Sequence, residues 1–444
     1  MTNQIAKEFN IISFLKFVFP TIIMMLFMAL YSIIDGMFVS RFVGSNALSA
    51  VNIVYPIQCI LIGIGIMFGT GGSAVVAKKL GEGKDKIARE YFTLLVCFTI
   101  GLGLFISILM LIFLQPILVL LGANETLYSY CFQYGSIILL FGMPSILQIL
   151  FQSFFVTAGK PKVGLILTII SGVSNIIFDY IFIVLFKMGI SGAALGTAIS
   201  YFIGFLYPLF YFRRKVAALW FMHPKWNMRV ILQSMGNGSS EMVSNLAAGV
   251  TTFLFNIAML RLLGENGVAA ITIVLYSQFL FTAAYLGFSN GAAPIISFNY
   301  GSGNSLHLQK IYKMCMLILT IGSFGILLLS LVFAGKAVGI FVKEGSEVYK
   351  IALYGYRIFA WNFMFAGFNI FVSSFFTALS NGKISAFISF LRTFAIEAVS
   401  LTLLPRIMGV DGVWLAVPIA EGVTLLIAAI CLKKYGKVYH YFKA

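Results

Sequence analysis

Twelve apolar stretches, each about 20 residues or longer, run the whole length of this chain and leave it few folds to choose from. A helix rising about 1.5 Å per residue needs roughly 20 residues to cross ~30 Å of hydrocarbon, whereas a barrel strand would show about 10 residues of alternating polarity. The stretches fall near residues 14–40, 50–77, 92–115, 129–157, 163–186, 190–212, 230–260, 268–297, 314–334, 350–378, 384–404 and 412–432. With 60% hydrophobic residues, 10% charged residues and a mean hydropathy of +1.00, the chain carries too little charge to clothe a soluble globule. The expected fold is all-α and membrane-integral, with twelve transmembrane helices. The first stretch is too long for a cleaved signal peptide and carries Asp35, so it is expected to remain as the first span.

The formal net charge of +16 is distributed by side rather than by partner. With the N-terminus in the cytoplasm, 21 of the 30 Lys and Arg residues fall on that side, from Lys7 and Lys16 through Lys78–Arg89, Lys160, Lys162 and Arg213–Arg229 to Lys433, Lys434, Lys437 and Lys443. Seven, including Arg41, Lys187, Arg261 and Arg406, fall on the other. This bias predicts a multi-pass protein of the cytoplasmic membrane with both termini inside. Basic boundaries facing anionic lipid account for the charge, so the lipid bilayer and not nucleic acid is the expected partner. Five scattered cysteines with no CxxC spacing, and three histidines in cytoplasmic segments, offer no metal or nucleophile constellation, and no enzyme is expected.

Arg41-Phe-Val-Gly44 followed by Ala50-Val-Asn-Ile-Val54 reappears, displaced by 220, as Arg261-Leu-Leu-Gly264 followed by Ala270-Ile-Thr-Ile-Val274. Gly71, Gly81, Gly83 and Gly189 keep the register with Gly291, Gly301, Gly303 and Gly409. The repeat divides the chain into an N-lobe (residues 1–212), a linker (213–229) and a C-lobe (230–444), each lobe a six-helix bundle. Six is even, so the bundles are parallel repeats about an axis normal to the membrane, an arrangement suited to two lobes rocking around a central cavity.

Asp35 and Asp179 interrupt otherwise uncharged spans, and a carboxylate in hydrocarbon costs several kcal/mol unless it faces a polar cavity or relays a cation. Both lie roughly 8–11 Å below the outer boundary at 1.5 Å per residue. Thr197 reaches the same depth. Tyr31 and Asp35 are four residues apart, as are Asn175 and Asp179, so each pair shares a helix face. Five oxygen-bearing side chains can therefore converge, and two close carboxylates can hold H⁺ or coordinate Na⁺. Locking of the bundle by hydrogen bonds is the structural alternative. Gly69-Thr-Gly-Gly72 lacks a Walker Lys-Ser/Thr and reads as close helix packing rather than a phosphate loop.

Pro20…Tyr31-Ser-Ile-Ile-Asp35-Gly36-Met-Phe-Val39, Gly69-Thr-Gly-Gly72 with Lys78-Lys-Leu-Gly81, and Asn175-Ile-Ile-Phe-Asp179 followed by Gly192-Ala-Ala-Leu-Gly-Thr-Ala198 together resemble the multidrug and toxic compound extrusion (MATE) family, on its bacterial drug-exporter side. The resemblance implies cation-coupled export of amphipathic, mostly cationic compounds, with Asp35 and Asp179 in the coupling site and H⁺ or Na⁺ as the only cofactor. It also implies bending of the first helix at Pro20, where a static kink is equally consistent with the lost hydrogen bond. A monomer is expected.

Glu241, Glu397 and Glu421 lie near the midplane of the second half, and Arg392 sits among them. A buried arginine requires a carboxylate, and Glu397, five residues along an α-helix, faces away, which favours Glu241 or Glu421 as its partner. These acids are candidates for substrate or ion binding or for an interhelical ion pair. One branch of the family draws a C-lobe sodium site from helices 7 and 10, and the tenth span here has no acid. The alternative function is a flippase for lipid-linked oligosaccharides, for which more intramembrane basic residues are expected.

Overall fold

A computed structural model describes residues 4–442 except Val216, so Lys443 lies outside the described residues. The first half runs α1 (Ile11–Phe38), α2 (Ser45–Gly81), α3 (Asp85–Ile112), α4 (Leu114–Leu120), α5 (Glu125–Leu140), α6 (Gly142–Thr157), α7 (Pro161–Asp179) and α8 (Gly189–Arg213). The second runs α9 (Met228–Gly301), α10 (Ser305–Val332), α11 (Ala334–Gly339), α12 (Glu347–Phe359), α13 (Phe363–Ala378), α14 (Gly382–Phe390), α15 (Ile396–Met408) and α16 (Val410–Tyr435).

At 74 residues α9 would stretch roughly 110 Å if straight, several times the hydrocarbon thickness. Gly264 breaks it with φ 64° and ψ −152°, backbone that a side chain would strain, so α9 is two spans joined by one glycine. Among the described residues ten helices are long and apolar enough to cross a bilayer, and α5 and α6 pass the same test together, with a 54° bend. Counting that pair once and the arms of α9 separately gives the expected twelve.

Three expected spans are interrupted near their middle. The bend between α5 and α6 falls at Phe141, just before Gly142-Met-Pro144, where proline removes a backbone donor from the first turn. A 3₁₀ turn, Ala360–Asn362, separates α12 from α13, and a π-helical segment, Leu391–Ala395, separates α14 from α15. The expected loops near 116–128 and 335–349 contain the short helices α4 and α11.

The backbone repeats as the sequence does. α3 and α10 begin and end 220 residues apart, and the positive-φ glycines Gly44, Gly83 and Gly189 have counterparts at Gly264, Gly303 and Gly409. Contacts between the halves obey the same relation. A Cβ at Gly81 would overlap the carbonyl of Phe298, and one at Gly301 would overlap the carbonyl of Lys78, the position 220 before Phe298. Gly71 packs on Ser234 and Gly238 of α9, while Gly291 packs on Val18 and Thr21 of α1. Small residues thus let backbones meet in direct van der Waals contact.

This seam gathers toward the end that carries the tight turns 82–84 and 302–304, where the basic residues Lys78, Lys79, Lys84 and Arg89 lie. There Lys78 Nζ lies 4.8 Å from the Tyr300 ring centroid, and Phe14 meets Phe288 edge-on at 6.3 Å. The segment between α8 and α9 docks on α3 at the same end: Arg89 lies 3.4 Å over Trp220 and donates to the Ala218 carbonyl at 3.1 Å, Phe221 stacks on Phe92 at 5.2 Å, and Lys225 pairs with Glu90 at 3.3 Å.

Candidate functional site

Asp35 lies one turn from the C-terminal end of α1, and Asp179 is the last residue of α7. Each helix then widens into a π-helical segment, Val39–Val43 and Tyr180–Leu185 respectively. Such segments interrupt the regular hydrogen-bond ladder and recur at functional sites. Asp179 and Asn175 are fully buried, Thr197 is nearly so, and Asp35 is half-buried.

The two carboxyls face each other within interaction range. Two carboxylates are both acceptors, so neither satisfies the other unless a proton is shared. Asn175 Nδ2 donates to Thr197 Oγ1 at 3.4 Å, leaving Asn175 Oδ1 as a further acceptor. Asp35 Oδ1, both Asp179 carboxylate oxygens and Asn175 Oδ1 are buried with no donor from the chain. This cluster of acceptors suits a proton or a hard cation held by oxygen.

Glycine builds the approach. A Cβ at Gly196 would overlap the Asp179 carboxylate, so α8 runs directly against it. A Cβ at Gly172 would lie 2.8 Å from Tyr31 Cδ1, which brings the Tyr31 ring onto α7. All five N-lobe residues singled out from sequence therefore belong to one neighbourhood. Pro20 is buried within an uninterrupted α1, at the level where Thr21 and Ile22 touch Gly287 of α9.

Sequence reasoning missed Gln58, Tyr134 and Tyr201. Gln58 Nε2 donates to the hydroxyl of buried Tyr134 at 3.2 Å, and Tyr201 lies one turn beyond Thr197 on α8, on the same helix face. A lone tyrosine in an apolar run carries no signal of which way it faces. Gln58 was the available clue, a polar side chain mid-span in α2.

In the second half Arg392 pairs with Glu421, Nε to Oε1 at 3.9 Å, and not with Glu241. Asn369 Nδ2 holds Glu421 through its carboxylate at 2.6 Å and its backbone carbonyl at 2.8 Å. Glu397 is buried too, but makes no ion pair with Arg392 within 4 Å among the described residues, in line with the expectation that it is not the partner. The residues between Arg392 and Glu397 are π-helical, with Ile396 N–H bonded to Leu391 O. Glu241 instead accepts from the adjacent Ser240 hydroxyl and from Thr377 Oγ1 at 3.4 Å.

The MatE family model matches residues 20–181 and again 221–401, once in each half. The multidrug export protein MepA of Staphylococcus saprophyticus is 25% identical over 423 residues, covering 94% of this chain and 92% of that one. MepA of Staphylococcus haemolyticus is 26% identical over 417 residues, covering 93% and 91%. The fold matches a MATE crystal structure in complex with MaL6, at a TM-score of 0.93 and 19% identity with both chains covered in full. It also matches an outward-facing multidrug resistance MATE family transporter of the MOP superfamily, at 0.91 and 20% identity, covering 97% and 96%. The chain belongs to the MatE family of multi-pass membrane transporters and is not an enzyme.

Proposed function

We propose that this protein is a secondary antiporter that exports amphipathic, mostly cationic small molecules by alternating access, driven by H⁺ or Na⁺ bound at Asp35 and Asp179. The observation that carries this reading is the facing pair of carboxyls whose buried oxygens have no donor from the chain, beside Asn175, Thr197 and Tyr31. Two negative charges confined together favour the uptake of a cation, and loss of that cation restores their repulsion, which couples occupancy to helix position. MepA, named as a multidrug export protein, supports the substrate class. The tyrosines around Asp35 supply aromatic faces for a lipophilic cation.

The protein acts as a monomer in the cytoplasmic membrane with its basic end inside, following the charge bias of the loops. The seam at Gly81 and Gly301 then closes the inner side, and the conformation is outward-facing. Purified protein in liposomes tests the function directly. Uphill efflux of a lipophilic cationic dye is expected under an imposed pH gradient, an imposed Na⁺ gradient, or both. Movement that only follows the dye's own gradient under every condition would refute coupling.

A further inference from the structure

The 220-residue repeat does not stop at the sixth span of each half. Beyond α8 the chain turns back on α3, and beyond α16 residues 436–442 turn back on α10 through corresponding contacts. Phe221 stacks on Phe92 at 5.2 Å, and 220 residues later Tyr441 meets Tyr312 at 5.3 Å. Phe221 N–H donates to the Phe212 carbonyl at 2.9 Å, and the Tyr441 hydroxyl donates to the Leu432 carbonyl at 2.7 Å. Arg89 donates to the backbone of the first segment at Ala218, and Gln309, its counterpart, donates to that of the second at His440, at 3.0 Å. The connection between the lobes and the stretch after α16 are two copies of one element, an aromatic clamp that ties the sixth span of a lobe to its third.

The second copy is firmly seated. Tyr441 is 1% exposed and also meets Phe375 edge-on at 5.0 Å. His440 before it takes φ 57°, a left-handed backbone that a side chain adopts only where its surroundings enforce it. Burial of the whole Tyr441 ring with its hydroxyl bonded offsets that cost.

The copies differ where they face the seam. Tyr439 stands where the first copy has Leu219, and Tyr300 stands where the N-lobe has Leu80. Tyr439 accepts from Asn381 Nδ2 at 3.0 Å, and its ring meets Tyr300 edge-on at 5.6 Å. The Tyr300 ring also receives Lys78 Nζ from the N-lobe, 4.8 Å from its centroid. Through Tyr300 the second clamp therefore reaches the contact between the lobes.

We propose that residues 436–442 are a conformational clamp: by seating Tyr439 against Tyr300 they hold that ring under Lys78 and so stabilise the state in which the basic end is closed. A ring free to change rotamer loses its face-on geometry with the ammonium, and the cation–π attraction falls with it. The loss is felt in the closed state alone, because Lys78 and Tyr300 part when the seam opens. The inference rests on the alternating access proposed above.

Spin-label distances between Ser40 and Leu260, at the far ends of the two lobes, test it on the full-length transporter in nanodiscs. Wild type is expected to show two populations. Tyr439→Ala should move their ratio about two- to fivefold toward the shorter separation, the range that one exposed cation–π contact allows. Tyr300→Leu, which matches Leu80 at the equivalent position, should produce the same shift, and the double variant no more than either alone. Tyr441→Ala should reproduce Tyr439→Ala by unseating the segment; where it fails to fold, Tyr439→Ala, at a half-buried ring, decides the matter. An unchanged ratio in Tyr439→Ala or in Tyr300→Leu overturns the clamp, and so does additivity in the double variant, which would mean that Tyr439 acts on something other than Tyr300. A single wild-type population at every pH and Na⁺ concentration overturns alternating access and the clamp with it, whereas two populations in an unchanged ratio overturn the clamp alone.

Discussion

Gly81→Ala should shift the transporter away from the state in which its basic end is closed. The new methyl would overlap the Phe298 carbonyl oxygen and lie 2.9 Å from the Phe298 carbonyl carbon and 3.0 Å from Ser302 N. All three are backbone atoms, so no rotamer change relieves the contact and α9 must retreat by on the order of 1 Å. Overpacking of this kind costs about 1–3 kcal/mol. That penalty falls only on the closed seam, so it changes the ratio of conformers by about 5- to 150-fold. Spin labels at Ser40 and Leu260, at the far ends of α1 and of the first arm of α9, should report a shift toward shorter separations. Gly301→Ala, which meets the Lys78 carbonyl across the pseudo-twofold, should produce the same shift. The two are close enough that their effects should not add. Unchanged distances in both folded variants would mean that the basic-end seam does not separate during the cycle.

Asp35→Asn and Asp179→Asn should each abolish uphill efflux while the protein still inserts and purifies; full transport by both would remove them from coupling. If protonation of that pair triggers the rearrangement, acidification should move the 40–260 distance distribution in wild type and not in Asp35→Asn; an equal response in the variant would place the trigger elsewhere. Arg392→Ala should lower stability by about 3–5 kcal/mol in thermal unfolding, as expected for breaking a buried pair, with partial rescue by Glu421→Gln and none by Glu241→Gln. Rescue by the latter alone would contradict the pairing at 3.9 Å. Trp220→Ala should cost about 0.5–2 kcal/mol through the lost Arg89 stacking, visible as a lower melting temperature. No change would mean that the connecting segment is held by its other contacts.

The spans, the repeat and the N-lobe neighbourhood were legible because each rests on a simple period. Hydrophobic length is set by bilayer thickness, the repeat by copied glycines, and the pairs Tyr31/Asp35 and Asn175/Asp179 by four-residue spacing. Gly264 was legible only as the partner of Gly44. That so short a connection suffices depends on one backbone conformation, φ 64° and ψ −152°, which no periodicity announces. Gln58, Tyr134 and Tyr201 were hidden for a different reason: Gln58 and Tyr134 come from two further spans, α2 and α5, and facing across a bundle is decided by packing.

The backbone around Arg392 departs from the α-helix in a way the sequence does not announce. The reading of Arg392 and Glu397 assumed 3.6 residues per turn, and the intervening residues follow the wider π-helical path, yet Arg392 still pairs with Glu421. Asp35 and Asp179 also stand where α-helix passes into π-helix, so three acids within membrane spans border this rarer backbone. The wider turn changes which neighbours share a face, and it misaligns carbonyls that an α-helix would engage. Both effects favour placing a charge in a membrane: the carboxylate is turned toward groups on other helices, and the local ladder is looser where the helix must respond to its occupancy. In the second half the π-helical segment Leu391–Ala395 carries Arg392, whose guanidinium reaches Glu421 on α16, and Asn369 on α13 donates to the same carboxylate, so the buried acid is met by groups from two other segments.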